Sequence, residues 1–280
     1  MIRSDLRNWY VAVVSSGRPE NVAPLTALIG PATWFVQDDA PEYLAEARKL
    51  KTHTPTIVHV DDRNPKGRLP RVRNIALEHA FRHDAVCVMC DDDLQSFSRD
   101  KVIKRGKRKG ETQCEGIKLE FGHVINEFWA AFQNVPEAHL AGLPAKHHSC
   151  WMAAVKNEVY HTHGFIITRL IAVRPTHLRF DPTFTLKEDY DYSCQHLEEY
   201  GAVVRVEQVY AEYLRWENKG GLQAHNVRGE AQERSANAQL MAKWPGVFRE
   251  NAGHSHGGQL VMRWPLKRKK YEAQQRNLFD

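Results

Sequence analysis

The stretch that decides the fold is "AVCVMCDDDLQSF", residues 85–97. An apolar run of strand length ends there in three consecutive aspartates, Asp91, Asp92 and Asp93. Like charges this close repel one another and raise each other's pKa, so folding alone gives little reason to keep them together. One interpretation is a solvated turn with surplus charge. The other is a carboxylate cluster that binds a cation, and the rest of the sequence bears on that choice.

The composition is that of a chain that can bury a sizeable core. It has 280 residues, of which 42% are hydrophobic, enough for one large domain or two small ones. No window approaches the roughly 18 apolar residues that span a bilayer, and the first residues lack the pattern of a signal peptide. We therefore expect a cytoplasmic protein without a membrane partner. Five scattered cysteines do not suggest a disulfide framework, and Cys87 and Cys90 are predicted to be core thiols.

Strands and helices alternate before the aspartates. Strands are predicted at 9–14, 32–36 and 55–60, and helices at 40–50 and 69–83. This rhythm favours right-handed βαβ units, and thus an α/β fold with a mostly parallel, Rossmann-related sheet flanked by helices. Such sheets bind ligands just beyond the carboxyl ends of their strands, which predicts a nucleotide-type site there. The small or polar residues at that edge are Ser15, Ser16, Gly17, Asp38, Asp39 and the three aspartates.

Apolar spacing also predicts which helical residues face the core. Tyr43 and Leu44 are expected to point inward from the helix at 40–50. Leu240 and Met241 are expected to point inward from a helix near the C-terminus.

The sequence has neither of the usual glycine-rich phosphate loops. "SSGRPE" (15–20) follows the first strand in place of GxGxxG, and GxxxxGK[ST] occurs nowhere. A bound nucleotide would need another group to neutralise its diphosphate. Mg²⁺ and Mn²⁺ prefer carboxylate and phosphate oxygens. Asp91 and Asp93, one residue apart at a strand end, are therefore the predicted protein ligands of a divalent metal.

These features resemble the GT-A class of nucleotide-sugar-dependent glycosyltransferases. The likeness rests on the polar turn after the first strand, the "RN" helix with Arg73 and Asn74, the Asp-x-Asp, and "LKEDYDYSCQHLEEYG" (186–201), in this order. It covers about residues 9–215, which we take as a GT-A-like catalytic domain. Residues 216–280 are then an extension with a basic tail that packs on the site or closes it.

The resemblance implies a role for each group of site residues. A UDP-sugar would be the donor, and Mn²⁺ or Mg²⁺ would act as a Lewis acid on its leaving diphosphate. Asp189, or Glu188 beside it, would lie near the acceptor hydroxyl and take its proton if the enzyme inverts. A histidine from a C-terminal loop would complete the metal site, with His225 favoured over His256. The predicted donor-binding residues are Ser15, Ser16, Gly17, Arg18, Asp38, Asp39, Arg71, Arg73, Asn74 and Asp92.

Within that class the wording of several motifs is similar to the TET-associated glycosyltransferases. These motifs are "SSGRP" (15–19), the triple aspartate, "KEDYDYS" (187–193) and "ENKGGLQ" (217–223). Those phage and related enzymes place sugars on modified DNA bases such as 5-hydroxymethylcytosine. The net charge is +5, and most of the excess of Lys and Arg over Asp and Glu lies in two basic runs, 99–111 and 263–276. Such runs suit a polyanionic partner. The resemblance therefore implies hexosyl or pentosyl transfer to DNA.

Three alternatives stay open on the sequence. The same fold could transfer sugar to a small molecule, a glycan or a protein, with incidental basic runs. It could be a non-catalytic nucleic-acid-binding module, although the two carboxylate pairs argue against that. A nucleotidyltransferase would also use paired aspartates, but it usually has a glycine-rich loop after the first strand, and "SSGRPE" is poor in glycine.

Overall fold

The computed structural model describes residues 8–36, 40–51, 54–60, 68–102, 114–144, 159–214, 229–250 and 260–265. The strands in these ranges are β1 (Trp9–Ser15), β2 (Thr33–Val36), β3 (Thr56–His59), β4 (Val86–Asp91), β5 (Leu94–Val102), β6 (Cys114–Leu119), β7 (Leu140–Gly142), β8 (Tyr160–His161), β9 (Leu170–Val173), β10 (Val204–Val206), β11 (Val209–Tyr213), β12 (Phe248–Glu250) and β13 (Leu260–Met262). The helices are α1 (Val22–Ile29), α2 (Ala40–Arg48), α3 (Arg68–Phe81), α4 (Phe121–Asn134), α5 (Glu188–Tyr200) and α6 (Glu230–Lys243), with a short 3-10 turn at Pro19–Asn21.

A large mixed sheet of eight strands forms the centre of the described structure, in the order β3-β2-β1-β4-β9-β7-β10-β8. The strands β1 to β4 are mutually parallel, β9 is antiparallel to both of its neighbours, and β10 is parallel to β7. Only β9 and β8 therefore run against the common direction within the described sheet. This confirms the predicted α/β class with a mostly parallel sheet.

Helices cover both faces of the sheet because successive side chains on each strand point to opposite sides. Val13 of β1 and Trp34 of β2 face one cluster, which α1, α2 and α4 close. Ala12 and Phe35 face the other, which α3 and α5 close. Helices α3 and α5 thus lie on the same face of the sheet.

A second, three-stranded antiparallel sheet, β11-β5-β6, begins directly after the aspartates. Strand β5 starts at Leu94 and pairs with β11 and β6. The chain therefore turns sharply at Asp92 and Asp93, between the end of one sheet and the start of the other. The antiparallel sheet was not predicted from the sequence.

The described part of the C-terminal extension packs on the rest of the chain. Leu240, Trp244 and Phe248 form an apolar cluster with Phe184 and with Cys194 of α5. The boundary drawn at residues 215 and 216 stays a prediction. Among the described residues, no helix is long and apolar enough to cross a bilayer.

Three details of the helices differ from the sequence prediction. Helix α1 was not predicted, because its mostly apolar residues show no polar face, although Asn21 precedes the helix and Gly30, with a φ of +77°, ends it. Leu44 and Met241 were predicted to face inward but are 40% and 36% exposed. In each case the neighbouring apolar residue, Tyr43 or Leu240, takes the buried position, since a narrow helical stripe cannot bury both.

Candidate functional site

The site begins where β1 and β4 end side by side. These parallel strands pair with Val14 opposite Asp91, so Ser15 lies beside Asp92. The Ser15 hydroxyl donates to the Asp92 carboxylate and also contacts the Tyr43 hydroxyl. Asp92 is only 3% exposed. The middle aspartate thus points into the protein, where it fixes the end of β1.

The turn after β1 brings Arg18 back over the aspartates. Gly17 takes a φ of +70°, a conformation that glycine adopts without steric cost. Nη1 of Arg18 lies 2.9 Å from Asp92 Oδ1 and 3.8 Å from Asp93 Oδ2. The Arg18 backbone N–H donates to the Tyr43 hydroxyl at 2.9 Å. Arg18 therefore partly offsets the negative charge at this strand end.

The buried guanidinium of Arg73 connects two distant stretches of the chain. Its Nη2 lies 3.2 Å from Asp91 Oδ1, at the end of β4, and its Nη1 lies 2.8 Å from Glu188 Oε1, at the start of α5. Arg73 is 2% exposed, so both contacts are made in a poorly solvated place. The "RN" helix, the aspartates and the Glu-Asp pair, separated in sequence, form one charged cluster through this side chain.

Helix α5 begins with a residue in a rarely occupied backbone conformation. Lys187, just before the helix, has a φ of +68°, which residues other than glycine rarely adopt. Its Nζ lies 2.7 Å from Glu233 of α6. This conformation turns the chain so that Glu188 and Asp189 occupy the first turn, where the helix dipole favours carboxylates. Such backbone strain is often retained at functional sites.

Asp189 is the carboxylate at this end of the site with an unusual protonation equilibrium. Burial, followed by the negative charge of Glu188, raises its pKa to about 7, against an opposing effect of Arg73. It accepts the Tyr190 backbone N–H at 2.9 Å, while its own carbonyl accepts from the Ser193 hydroxyl. A carboxyl group with such a pKa is half ionised near neutral pH and can exchange a proton there.

The aspartate turn has the oxygen chemistry that suits a hard cation. Burial and then the charge of Asp91 raise the pKa of Asp93, while burial raises that of Asp92 to about 7. The side chains of Asp91 and Asp93 are 28% and 18% exposed, whereas Asp92 is turned inward. The carboxylates of Asp91 and Asp93 therefore remain partly exposed at the turn. Within the described ranges, no group of three or more His, Cys, Asp and Glu side chains is arranged to hold a metal ion.

Two residues that the sequence analysis missed frame this turn. The Arg169 carbonyl accepts the Asp91 N–H at 2.9 Å, its guanidinium lies 5.0 Å from the centre of the Tyr213 ring, and its charge lowers the pKa of Asp93. The Leu214 N–H donates to the Asp93 carbonyl at 3.0 Å. The sequence did contain one indication of Arg169, because this single charged residue stands directly before the apolar "LIAV" of β9. That charge lies beside the aspartates only because β9 runs antiparallel to β4, which places the start of β9 at the end of β4.

The other predicted site residues fall into two groups. Ser16 and Arg71 are half-buried, and Arg71 lies two residues before Arg73, on a different side of α3. The amide of Asn74 binds the backbone N–H and carbonyl of Phe180, both at 2.8 Å. Their roles in donor binding stay predictions. The predicted residues outside the described part of the chain are Asp38, Asp39, His225 and His256, together with 103–113 and 266–280, which hold most of the basic runs.

Comparison with solved structures gives remote likenesses. No family model matches the sequence, and no curated protein matches it. Among solved structures, A197 from STIV is 10% identical, with a TM-score of 0.38, covering 76% of this chain and 88% of that one. Mouse xyloside xylosyltransferase 1 in its apo form is also 10% identical, with a TM-score of 0.31, covering 70% of this chain and 76% of that one.

Proposed function

We propose that this chain is a metal-dependent glycosyltransferase that moves a sugar from a nucleoside diphosphate sugar to an acceptor hydroxyl. The single observation that carries the proposal is the double contact of Arg73 with Asp91 and Glu188. It brings the aspartate turn, suited to a cation and a diphosphate, next to the Glu-Asp pair, suited to proton transfer. Both lie at the carboxyl edge of a mostly parallel sheet, where such folds bind nucleotides.

In this proposal the two neighbouring carboxylates of α5 have different tasks. Glu188 is 7% exposed and its carboxylate forms an ion pair with Arg73, so it positions that cation and is not available to the acceptor. Asp189 has a pKa of about 7, raised chiefly by burial, and serves as the general base. It takes the proton of the acceptor hydroxyl while that oxygen bonds to the sugar carbon. The bond from this carbon to the diphosphate breaks, and the diphosphate leaves with its electron pair.

The donor side is assigned to the aspartate turn. Asp91 and Asp93 would hold a divalent cation, with a third ligand from His225 or His256, and the bound cation would supply Lewis-acid stabilisation of the leaving diphosphate. Asp92 is committed to Ser15 and Arg18, so it shapes the turn from behind. Arg18, between Asp92 and Asp93, lies where its guanidinium can also reach a phosphate oxygen.

For the acceptor we propose a hydroxyl of a modified DNA base, such as 5-hydroxymethylcytosine, and for the donor a UDP-sugar. The support comes from the sequence: several short motifs resemble those of the TET-associated glycosyltransferases, and the chain has two basic runs. Lys and Arg runs contact phosphates and release counterions on binding. A base inside a duplex cannot reach a deep site unless it is flipped out, at a cost of a few kcal/mol, so single strands or mismatches should be favoured.

The test measures UDP release with Mn²⁺ and a panel of UDP-sugars, with and without hydroxymethylated DNA. We expect one donor to give UDP release that depends on metal and is stimulated by the DNA. Asp189→Asn keeps shape and hydrogen bonding but cannot take a proton, so transfer should fall roughly 10²–10⁴-fold. Binding of the UDP-sugar should persist.

The matched control is Asp84→Asn. Asp84 is exposed, lies before β4 at the opposite edge of the sheet, and has a φ of +49° that asparagine tolerates. This variant should transfer as well as the parent. If Asp189→Asn loses donor binding together with turnover, Asp189 belongs to the donor site. If no UDP-sugar is consumed with any acceptor, the transferase proposal is wrong, and DNA binding without turnover would favour the non-catalytic module.

A further inference from the structure

The Arg73 guanidinium also lies over an aromatic ring. The Arg73 guanidinium carbon lies 5.4 Å from the centre of the Phe180 ring, within the range of a cation–π contact. Phe180 is fully buried. The Phe180 ring therefore touches the same guanidinium that joins Asp91 to Glu188, although it contacts neither carboxylate in any described interaction.

Phe180 is itself held from two directions. Its backbone N–H and carbonyl are both bound by the Asn74 amide, each at 2.8 Å, so the residue next to Arg73 on α3 fixes the loop that carries the ring. Its ring stacks on Tyr192 of α5, with centroids 3.9 Å apart and planes inclined by 21°. Tyr192 lies one helical turn after Glu188, on the same side of α5.

The stack continues away from the site. The Tyr192 ring meets His196 edge-on at 4.4 Å, and His196 lies 5.8 Å from Tyr200, whose ring stacks on His139 at 4.0 Å. Burial lowers the pKa of His196 to about 3, so this imidazole stays uncharged in ordinary buffers. Phe180, Tyr192 and His196 are all fully buried, so none of these three rings can move without repacking the others.

We infer that Phe180 is a positioning residue for the transfer reaction: its ring, held by Asn74 and Tyr192, sets the Arg73 guanidinium in the orientation that joins Asp91 to Glu188. This inference rests on the proposed function for its effect on turnover. The contact itself does not depend on that function. A guanidinium without this flat surface keeps its charge but gains rotational freedom, and its two ion pairs then compete.

The principal variant is Phe180→Leu, which keeps an apolar side chain but removes the ring. The protein offers a matched control in Phe132→Leu. Phe132 is also buried, at 1% exposure, and lies beneath an arginine, Arg174, at 4.4 Å, but on α4, on the opposite face of the sheet. Both variants should lower the unfolding midpoint by a similar amount. Only Phe180→Leu should lower kcat, by roughly 2- to 30-fold, the rate equivalent of a cation–π contact, with KM for the donor nearly unchanged.

A double variant separates positioning from general packing. In the Arg73→Lys background there is no planar guanidinium to orient, so adding Phe180→Leu should lower kcat by less than twofold. A residue that matters only for packing would lower kcat by the same factor in both backgrounds, and that result would overturn the inference.

A measurement without turnover tests the contact if no donor sugar is found. In a sample labelled with ¹⁵N-arginine, the Nε–H signal of Arg73 is identified by its absence in Arg73→Lys. Because this Nε is buried and is bonded to the guanidinium carbon that lies 5.4 Å from the ring centre, we expect a ring-shifted signal that exchanges slowly with water. Phe180→Leu should abolish the shift and speed the exchange, whereas Phe132→Leu should do neither. An unchanged Arg73 signal in Phe180→Leu would refute the inference, whatever the activity of the protein.

Discussion

Removal of the Arg73 guanidinium is the sharpest test of the charged cluster. Arg73→Met keeps a long apolar side chain but leaves Glu188, at 7% exposure, and Asp91 without their shared cation. Breaking a buried ion pair by removing one partner costs about 3–5 kcal/mol, because the remaining charge is still buried. For a domain of this size that corresponds to a fall of roughly 10 °C in the unfolding midpoint.

The pH dependence of that loss follows from the sign of the charge left behind. In the variant, the buried Glu188 carboxylate takes up a proton more readily in the folded protein than in the unfolded chain. The deficit relative to the parent should therefore be full near pH 8 and should shrink as the pH falls towards 5. Thermal unfolding followed by circular dichroism at several pH values measures it.

Two further variants make this test specific. Arg73→Met combined with Glu188→Gln removes both charges of the closer pair, and should recover a large part of the lost stability. Arg234→Met breaks an exposed pair with Glu230 on α6, 3.3 Å apart with both side chains more than half exposed, and should cost less than about 1 kcal/mol. If Arg73→Met unfolds at the same temperature as Arg234→Met at pH 8, Arg73 does not bridge the two carboxylates.

Three more predictions concern the proposed reaction. Asp93→Ala should lower transfer by roughly 10²-fold or more through loss of a metal ligand, and should not lower the unfolding midpoint, since burial and Asp91 already disfavour the Asp93 charge. Full activity of this variant in excess chelator would contradict the metal role. Glu188→Gln removes a charge that raises the pKa of Asp189, so the acidic limb of the kcat profile should move from near 7 to lower pH, by about one unit; an unmoved limb means that Asp189 is not the titrating base. Glutamine at Lys104, Arg105, Lys107, Arg108 and Lys109 should weaken DNA binding and reduce its salt dependence by about 0.9 log units per decade for each lost contact. Equal glycosylation of DNA by that variant at moderate salt would favour a small-molecule, glycan or protein acceptor.

The parallel half of the fold was predictable because its determinants are local. Alternating strand and helix lengths, with apolar spacing, identified β1 to β4 and most of α2 and α3. The aspartates mark a strand end because an apolar run cannot continue through three charges. The burial of Cys87 and Cys90 follows from the same run and is confirmed. The likeness in motif order also grouped Arg73, Asp91 and Glu188 before any geometry was known.

Other features of the fold depended on contacts between residues that are far apart in the sequence. Such contacts leave little trace in a short stretch of sequence. The antiparallel direction of β9 puts Arg169 beside the aspartates, yet the sequence of β9 is the same whichever way the strand runs. Tyr43 has the spacing of an ordinary core residue, and only the packing of α2 against the end of β1 brings its hydroxyl to Ser15. Local pattern fixes which face of an element is buried, but not which partner it meets.

The different environments of neighbouring carboxylates were likewise decided by the tertiary structure. By sequence, Glu188 and Asp189 are adjacent acidic residues at a helix start, and Asp91, Asp92 and Asp93 are identical. In the fold, Arg73 pairs with both Glu188 and Asp91, Ser15 and Arg18 hold Asp92, and the side chains of Asp91 and Asp93 remain partly exposed. The physical reason is that protonation and accessibility depend on burial and on charges brought together across the chain. The sequence by itself determined that carboxylates gather at one edge of the sheet, and only the tertiary structure decided the partners and the exposure of each.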